Sequence, residues 1–419
     1  MGIITTAQLE KGMVLDADLV TETGRFLLPR GTVLESQHIQ SMETWGITEV
    51  SVQGAGSGDA AAKSFSRFDP DVLQEAKART RKLFRLCNTS HEAVRELARQ
   101  SLSRAAEHLS KGGRLQGEDP LSGASLEQEL ADQPGRKTPR SPVELVRNEV
   151  LLSSFPDIYY QITRTLKDPT SSSESIADVI GKDQSLSAKL LQLVNSPFYG
   201  FPSRIDSLAR AVTLTGTREL TMLAMSISVM SQFKDIPESL FDMKEFWKHS
   251  IACGIFAKLL AQRKGLKPEE RYFLAGLLHD IGRLVLLKHL PRETRKAMLT
   301  SRIGGIPLFQ AEKEIFGFDH SSVAGLLLME WNFPDPLTYL INHHHRPERA
   351  ENPLDPAILH LADIMALGLR MGASGSVFIP PLEERAWEIL DIPAAALATL
   401  ASQAEEQFSG ITRSFLQEP

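Results

Sequence analysis

The feature that most limits the fold is a long run of helical periodicity that begins at Ser141. From there to the end of the chain, apolar residues recur at spacings of three and four, and strand patterns are nearly absent. The spacing predicts helices that include 241–263, 269–290, 307–317, 320–331, 335–343, 353–370, 381–390 and 393–416. Because such helices bury their apolar stripes by packing on one another, we predict a mainly α, all-helical domain.

The first part of the chain has a different pattern. Residues 1–53 contain the aliphatic runs "GMVLDADLV" and "RFLLPRGTVL", then a helical stretch "SQHIQSMETW" and an alternating "ITEVSV", which together predict a small α/β module. Residues 54–110 are predicted to be a joint and a helical connector. Residues 111–141, rich in Gly, Pro, Ser and charge, are predicted to be a flexible linker. The helical domain then spans 142–370, and 371–419 form a C-terminal helical extension.

Composition and charge restrict the classes of function. The chain has 419 residues, which is more than one ordinary core, and a formal net charge of −6, which argues against general nucleic-acid binding. No window reaches the ~20 apolar residues of a membrane span, and the N-terminus lacks a signal-peptide core, so we expect no membrane insertion. Cys87 and Cys253 offer no disulfide framework. We expect a cytoplasmic protein with free thiols.

The segment "GLLHDIGRLVLL", residues 276–287, places His279 and Asp280 side by side within an apolar run. Burying even a neutral polar group without a partner costs roughly 2–7 kcal/mol, so Asp280 needs a partner, and a metal ion is one candidate. Arg283 lies one helical turn further on, where its guanidinium could neutralise a phosphate oxygen.

Further histidines and one more carboxylate occur in apolar settings of the same helical region. His249 lies on the apolar face of its helix and His320 near a helix start, while His344 and His345 belong to "LINHHHRPE" and Asp363 to "ILHLADIMALGL". Imidazole and carboxylate together suit Fe, Mn, Zn or Ni better than Ca or Mg. These residues therefore predict a site for one or two divalent metals.

Two ions about 3.5–4 Å apart could share a hydroxide and clamp a phosphoryl group, with Asp280 as the bridging ligand. A simpler interpretation stays open for each residue. A single inward histidine is more often a satisfied core residue, a buried aspartate can pair with an arginine, and a run of histidines before a proline can be an exposed helix end.

From about Ser141 to Leu369 the chain resembles the HDOD domain, a bacterial signalling relative of the HD phosphohydrolases. The resemblance rests on "LLHDIGRLVL", on "SFPDIYYQITRTLKDPTSSSESIADVIGKDQSLSAKLLQLVNSPFYG" and on "IDSLARAVTLTGTRELTMLAMS". The N-terminal "KGMVLDADLVTETGRFLLPRGTVLESQHI" resembles a small module found ahead of HD-GYP and HDOD domains. The resemblance implies an all-helical fold, a role in bacterial signal transduction and, for most members, eroded metal ligands without catalysis.

The related HD-GYP pattern supplies a set of matching positions in this chain. The matches are His249 for the leading histidine, His279 and Asp280 for the HD pair, His320, His344 and His345 for the later histidines, and Asp363 for the closing aspartate. The Gly-Tyr-Pro run is missing, since "RPERAENP" follows the histidines, and the usual lysine is Arg283. A cyclic dinucleotide phosphodiesterase activity therefore does not carry over.

Two functions follow as hypotheses. In the first, the HDOD domain is a regulatory module that binds a signalling protein or a nucleotide-type ligand, with Asn195–Phe201 as a candidate contact surface. In the second, it is a metal-dependent phosphohydrolase acting on a nucleotide or another phosphoester, with Asp280 and Arg283 as catalytic groups. The helices of 69–110 could also pair with a second copy of the chain.

Overall fold

The computed structural model describes residues 2–6, 9, 11–20, 26–44, 47, 49–52, 65–113, 141–152, 157–168, 171–233, 235–237 and 241–416. Clustering of the backbone divides it into two compact units. The first unit is Met1–Arg81, Ser90–Leu115 and Pro393–Ser402, and the second is Lys82–Thr89, Gln116–Ile392 and Gln403–Pro419. Most of the predicted linker, 114–140, and most of the predicted joint, 53–64, lie outside the described residues. The predicted domain boundaries stay a prediction.

The strands are β1 Gly2–Thr5, β2 Leu19–Val20, β3 Phe26–Leu28 and β4 Glu49–Val52. The helices up to residue 230 are α1 Ser36–Thr44, α2 Pro70–Leu83, α3 Glu92–Ser110, α4 Pro142–Leu152, α5 Asp157–Lys167, α6 Ser173–Gly181, α7 Gln184–Val194, α8 Leu208–Thr215 and α9 Thr217–Met230. The remaining helices are α10 Met243–Arg263, α11 Glu270–Leu278, α12 Ile281–His289, α13 Pro291–Gly304, α14 Leu308–Phe316, α15 His320–Glu330, α16 Asp335–His343, α17 Leu354–Gly368, α18 Glu384–Leu390 and α19 Ala396–Leu416.

The first unit contains the small α/β module that the sequence predicts. Strands β1 and β4 pair antiparallel, and β2 pairs with β3 in a second two-stranded ladder. Leu15, Leu34, Met42 and Val50 form the centre of its core. Strand β1 was not predicted, because a four-residue run is too short to show an alternating pattern.

The second unit is helical, which confirms the predicted fold class. The predicted helices at 241–263, 307–317, 320–331, 335–343 and 353–370 agree with the structure to within a few residues. Helix α13 was missed because its sequence is polar. It does carry terminal signals: Pro291 occupies its first position, and Gly305 ends it in the left-handed conformation with φ 62°. Among the described residues, no helix is both long and apolar enough to cross a membrane.

Helices α10 and α11 cross at two glycines. A Cβ atom on Gly276 would collide with the backbone of Gly254, and a Cβ on Gly254 would lie 2.6 Å from the carbonyl oxygen of Phe273. The two backbones can therefore approach more closely than side chains would allow. This crossing brings His249 of α10 and His279, at the end of α11, to the same side of the helix pair.

The single helix predicted at 269–290 is wrong. Helix α11 ends at Leu278 and α12 begins at Ile281, so the chain turns at His279 and Asp280. A Cβ on Gly282 would collide with the backbone of His320, which shows how tightly the start of α12 packs on α15. Neighbours on a continuous helix diverge by about 100°. The break instead lets both side chains face one space.

Candidate metal centre

Five parts of the second unit supply the residues that were predicted as metal ligands. His249 comes from α10, the His279–Asp280 pair from the α11–α12 junction, and His320 from the first residue of α15, directly after its N-cap Asp319. The remaining predicted ligands are His344 and His345, which follow α16, and Asp363, which lies within α17. The structure brings all seven together. All are buried except His345, which is half-buried.

The inner group consists of His249, His279, Asp280 and Asp363. The Nε2 atom of His249 lies 3.3 Å from Nε2 of His279, 3.2 Å from Oδ1 of Asp363 and 3.7 Å from Oδ2 of Asp280. The Nε2 atom of His279 lies 3.4 Å from Oδ2 of Asp280 and 3.7 Å from Oδ1 of Asp363. Four ligands at 2.0–2.2 Å from one tetrahedral ion lie about 3.3–3.6 Å apart. Each imidazole nitrogen of the inner group is thus at about this distance from the other nitrogen and from both carboxylates, and His249, His279 and Asp280 lie close enough together to share a single metal ion.

Backbone hydrogen bonds orient two of the imidazoles for metal binding. The Nδ1 atom of His279 lies 2.7 Å from the carbonyl oxygen of Gly276, and that of His344 lies 2.6 Å from the carbonyl oxygen of Ile341. Each Nδ1–H donates there, so in the neutral imidazole each Nε2 carries the lone pair that a metal ion needs. The Nε2 atom of His344 has no hydrogen-bond partner among the described residues, and it is close enough to His279 and Asp363 to share an ion with them.

The two carboxylates of the inner group, Asp280 and Asp363, are negatively charged although they are buried. Burial acts to raise the pKa of Asp280, but Arg283, His279 and His320 outweigh it and hold that pKa well below its usual range. Burial likewise opposes ionisation of Asp363, but hydrogen bonds and charge from His249 and His279 keep its pKa low. Burial lowers the pKa of His279, yet the charge of Asp280 raises it well above its usual value. Two buried carboxylates thus attract either protons or a metal cation.

The outer group consists of Asp280, His320, His344 and His345, whose nearest ligand atoms also lie close enough to share an ion. The Nε2 atom of His320 lies 2.9 Å from Oδ1 of Asp280 and 2.9 Å from Nε2 of His345. Asp280 therefore belongs to both groups, one oxygen facing each. The neighbouring His343 points elsewhere, with its Nδ1 3.0 Å from the carbonyl oxygen of Tyr339.

Arg283 reaches into the outer group and is 2% exposed. Its Nη1 donates to Oδ2 of Asp280 at 2.7 Å and to the carbonyl oxygen of Ser374 at 2.6 Å. Its Nη2 lies within 3.2 Å of both ring nitrogens of His320, and its Nε lies 3.5 Å from Oε1 of Glu312. Protein groups therefore engage this guanidinium on all sides. The predicted contact of Arg283 with phosphate stays a prediction.

Sequence reasoning missed two residues that support the centre. Glu312 accepts from the backbone N–H of His320 at 2.9 Å, and its carboxylate lies 2.5 Å from Nδ1 of the same histidine. Its signal was a lone acid on the apolar face of "LFQAEKEIF". His360 has its Nδ1 2.9 Å from the carbonyl oxygen of His344 and accepts from the backbone N–H of Glu383. Each fixes the position of a predicted ligand.

A small recess adjoins the centre. Arg283, His345, Asp363 and Ser374 form its polar edge. Its other lining residues are Pro307, Leu308, Phe309, Ser376, Phe378 and Pro380. The ring of Phe309 stacks on His345 with 4.5 Å between centroids. The described part of the centre therefore meets its surroundings through a rim that contains polar and apolar residues in equal number.

The segment Asn195–Phe201, predicted as a candidate contact surface, is held by internal contacts. The Asn195 amide donates to the carbonyl oxygens of Leu191 and Ile205, and its oxygen accepts from the N–H of Ile205 at 2.7 Å. Phe198 is buried, and Nζ of Lys258 lies 3.8 Å from its ring centroid. These contacts give the segment a structural role. Its use in partner binding stays a prediction.

A helical domain in which a His–Asp pair at a helix junction meets further histidines and a closing aspartate is an HD-type domain. Residues 152–347 match the family model described as the HDOD domain. Residues 152–347 thus form an HDOD domain, as the sequence motifs predicted.

Known proteins with similar sequence or structure agree with this assignment. The crystal structure of an HDOD domain protein of unknown function from Geobacter sulfurreducens is 25% identical, covers 66% of this chain and 99% of that one, and gives a TM-score of 0.54. A protein from Marinobacter aquaeolei VT8, provisionally named a signal transduction protein, is 19% identical over 76% of this chain and 73% of that one, with a TM-score of 0.52. It shows the shared fold alone.

A curated relative from Treponema pallidum, itself uncharacterized, is 26% identical over 212 residues. The match covers 50% of this chain and 41% of the relative. The chain therefore spans less than half the length of that relative.

Proposed function

We propose that this protein is a signal-transduction protein whose HDOD domain binds a partner or ligand and holds a divalent metal ion within its helical core. The observation that carries the proposal is the inner group, in which two imidazole nitrogens lie 3.3 Å apart and each lies 3.2–3.7 Å from an oxygen of both carboxylates. The ion is Fe, Mn, Zn or Ni, because these metals accept mixed imidazole and carboxylate ligands. When bound, it neutralises buried carboxylate charge and links α10, α17 and the α11–α12 junction.

The surroundings of Arg283 favour binding over catalysis. Phosphoryl transfer needs a cationic group that can face the phosphate. The guanidinium of Arg283 is buried and already donates to Asp280 and to the carbonyl oxygen of Ser374. It would have to give up these partners to contact a substrate, and buried hydrogen bonds to charged groups are costly to break.

A metal-dependent phosphohydrolase is the second candidate, and one observation favours it. Asp280 directs Oδ2 toward His249 and His279 and Oδ1 toward His320. This is how a carboxylate shared by two ions would be placed, and such pairs of ions can activate a hydroxide for attack on a phosphoester.

Metal content and hydrolysis can be measured together. Protein purified without an affinity tag or chelator should contain about one metal ion per chain by elemental analysis. Asp280→Ala should lose it, because the inner group loses an anionic ligand. Asp355→Asn is the matched control, since Asp355 lies on α17 but pairs with Arg271, and it should keep the ion.

The same samples should be tested with bis(4-nitrophenyl) phosphate as a general phosphodiester. Hydrolysis equal to that of Asp280→Ala supports the binding module. Metal-dependent hydrolysis that disappears in Asp280→Ala would replace the module with the phosphohydrolase. Protein that folds but binds no metal under any loading condition would rule out metal binding in both candidate functions.

A further inference from the structure

Arg283 stands where a second ion would have to bind. An ion in the outer group would use the ligand atoms of Asp280, His320 and His345. The Nε2 atom of His320 already has Oδ1 of Asp280 at 2.9 Å, Nε2 of His345 at 2.9 Å and Nη2 of Arg283 at 3.1 Å. An ion bound to His320 would therefore lie beside a guanidinium nitrogen, in a buried region where like charges repel strongly.

The guanidinium cannot escape this repulsion by losing a proton. Arginine stays protonated in proteins, unlike a buried lysine, whose pKa falls readily. It is also fixed by four groups of the protein: Asp280, His320, Glu312 and the carbonyl oxygen of Ser374. A permanent, positioned positive charge thus belongs to the outer group itself.

The net charge of the buried side chains also favours a single metal ion. Asp280, Asp363 and Glu312 each bring one negative charge to the centre, and Arg283 brings one positive charge. With the imidazoles of the centre in their neutral form, a net of two negative charges remains, which one divalent ion balances. Neighbouring acids have partners of their own: Asp319 pairs with Lys313 at 2.7 Å, and Glu245 pairs with Lys248 at 2.6 Å.

We propose that Arg283 is the built-in cation of the outer group and that it limits this centre to one metal ion, held by the inner group. Arg283 touches the inner group only through Oδ2 of Asp280. A carboxylate oxygen can accept that hydrogen bond and still bind an ion with its other lone pair. The inference rests on the proposed metal binding and adds the reason why a second ion does not bind.

Removing the guanidinium of Arg283 should allow a second metal ion to bind in the outer group. In Arg283→Met the side chain keeps much of its volume, three negative charges face the centre, and the ligand atoms of His320 and His345 lose their cationic neighbour. Metal-free, tag-free full-length protein titrated with Zn²⁺ and analysed for bound metal should hold one ion per chain in the wild type and two in Arg283→Met.

The matched control is Arg271→Met. Arg271 is a partly buried arginine of the same domain that pairs with Asp355 outside the centre, at 2.9 Å. It should leave the stoichiometry at one ion. Two ions in the wild type, or one in a folded Arg283→Met, would overturn the inference while leaving the proposed metal binding intact. No ion in the wild type would overturn the proposed function itself.

A second measurement uses only the wild type, and so decides the question if Arg283→Met fails to fold. Protein loaded with excess Mn²⁺ and freed of unbound ion should give the electron paramagnetic resonance spectrum of isolated Mn²⁺. A spectrum of two exchange-coupled ions would show that the outer group accepts metal despite Arg283, and the inference would fail.

Discussion

The inner and outer groups use the same kinds of side chain and share Asp280, yet their surroundings differ. In the inner group, His249, His279 and Asp363 face one another at distances suited to ligands of one ion. In the outer group, His320 is enclosed by Glu312 and Arg283. Convergence of histidines and aspartates therefore does not by itself define a metal site. The charges that already surround the ligands decide whether an ion is needed.

The largest effect should come from a carboxylate that belongs to the inner group alone. Asp363→Asn keeps the shape of the side chain but removes its charge, so we expect the dissociation constant for Zn²⁺ to rise more than about 100-fold. Isothermal titration of metal-free protein measures this. Asp355→Asn on the same helix should stay within about threefold of the wild type. Unchanged affinity in Asp363→Asn would place the ion outside the inner group.

The next effect concerns the protons that neutralise the centre when metal is absent. Burial lowers the pKa of His320, and Arg283 does too, but Glu312 and Asp280 outweigh them and raise it to about 9 from an unfolded value of 6.5. A raised pKa stabilises the folded state below pH 6.5, and that contribution is lost as pH rises through 9.

Metal-free protein should therefore lose about 3 kcal/mol of unfolding free energy between pH 6.5 and pH 10, by urea denaturation. Zn²⁺-loaded protein should lose less, because the ion supplies the positive charge. His320→Gln should reduce the dependence in the metal-free state, with the contribution of His279 remaining. A metal-free protein equally stable at both pH values would contradict the raised pKa.

A smaller effect should separate one histidine of each group. His249→Ala removes an inner ligand, and we expect the dissociation constant for Zn²⁺ to rise about 30-fold. His345→Ala removes an outer ligand of similar chemistry, and the constant should change less than about threefold. Titration of both variants under one condition makes the comparison direct. Equal losses would mean that the two groups act as a single site.

The smallest effect on metal affinity should come from Glu312, which contacts His320 and Arg283 in the outer group. Glu312→Gln weakens the contacts to His320 and to Arg283 but leaves the inner ligands in place. We expect its affinity for Zn²⁺ to stay within about threefold of the wild type, with a lower thermal midpoint because a buried charged hydrogen bond is lost. A large loss of affinity would show that Glu312 controls the inner group through Arg283 and Asp280.

Local sequence patterns predicted the helices well and the supporting contacts poorly. Periodicity located α10, α14, α15, α16 and α17, and the seven candidate ligands lie together in the structure, although their role as ligands stays a prediction. The break at His279 and Asp280 was missed because it depends on Gly282 packing against α15, a long-range contact. The pairing of Arg283 with Glu312 and Ser374 was missed for the same reason, since neither partner is near it in sequence.

The near-complete burial of the inner group has a consequence for how metal would be acquired. His249 and His279 are 0% exposed, and Asp363 is 4% exposed. An ion held there would exchange with solution slowly, because only a small recess beside His345 and Asp363 adjoins the centre and the rest of it is packed. The identity of the ion in each molecule would then reflect the metals present when that chain folded, and later changes in the supply of metal would register slowly.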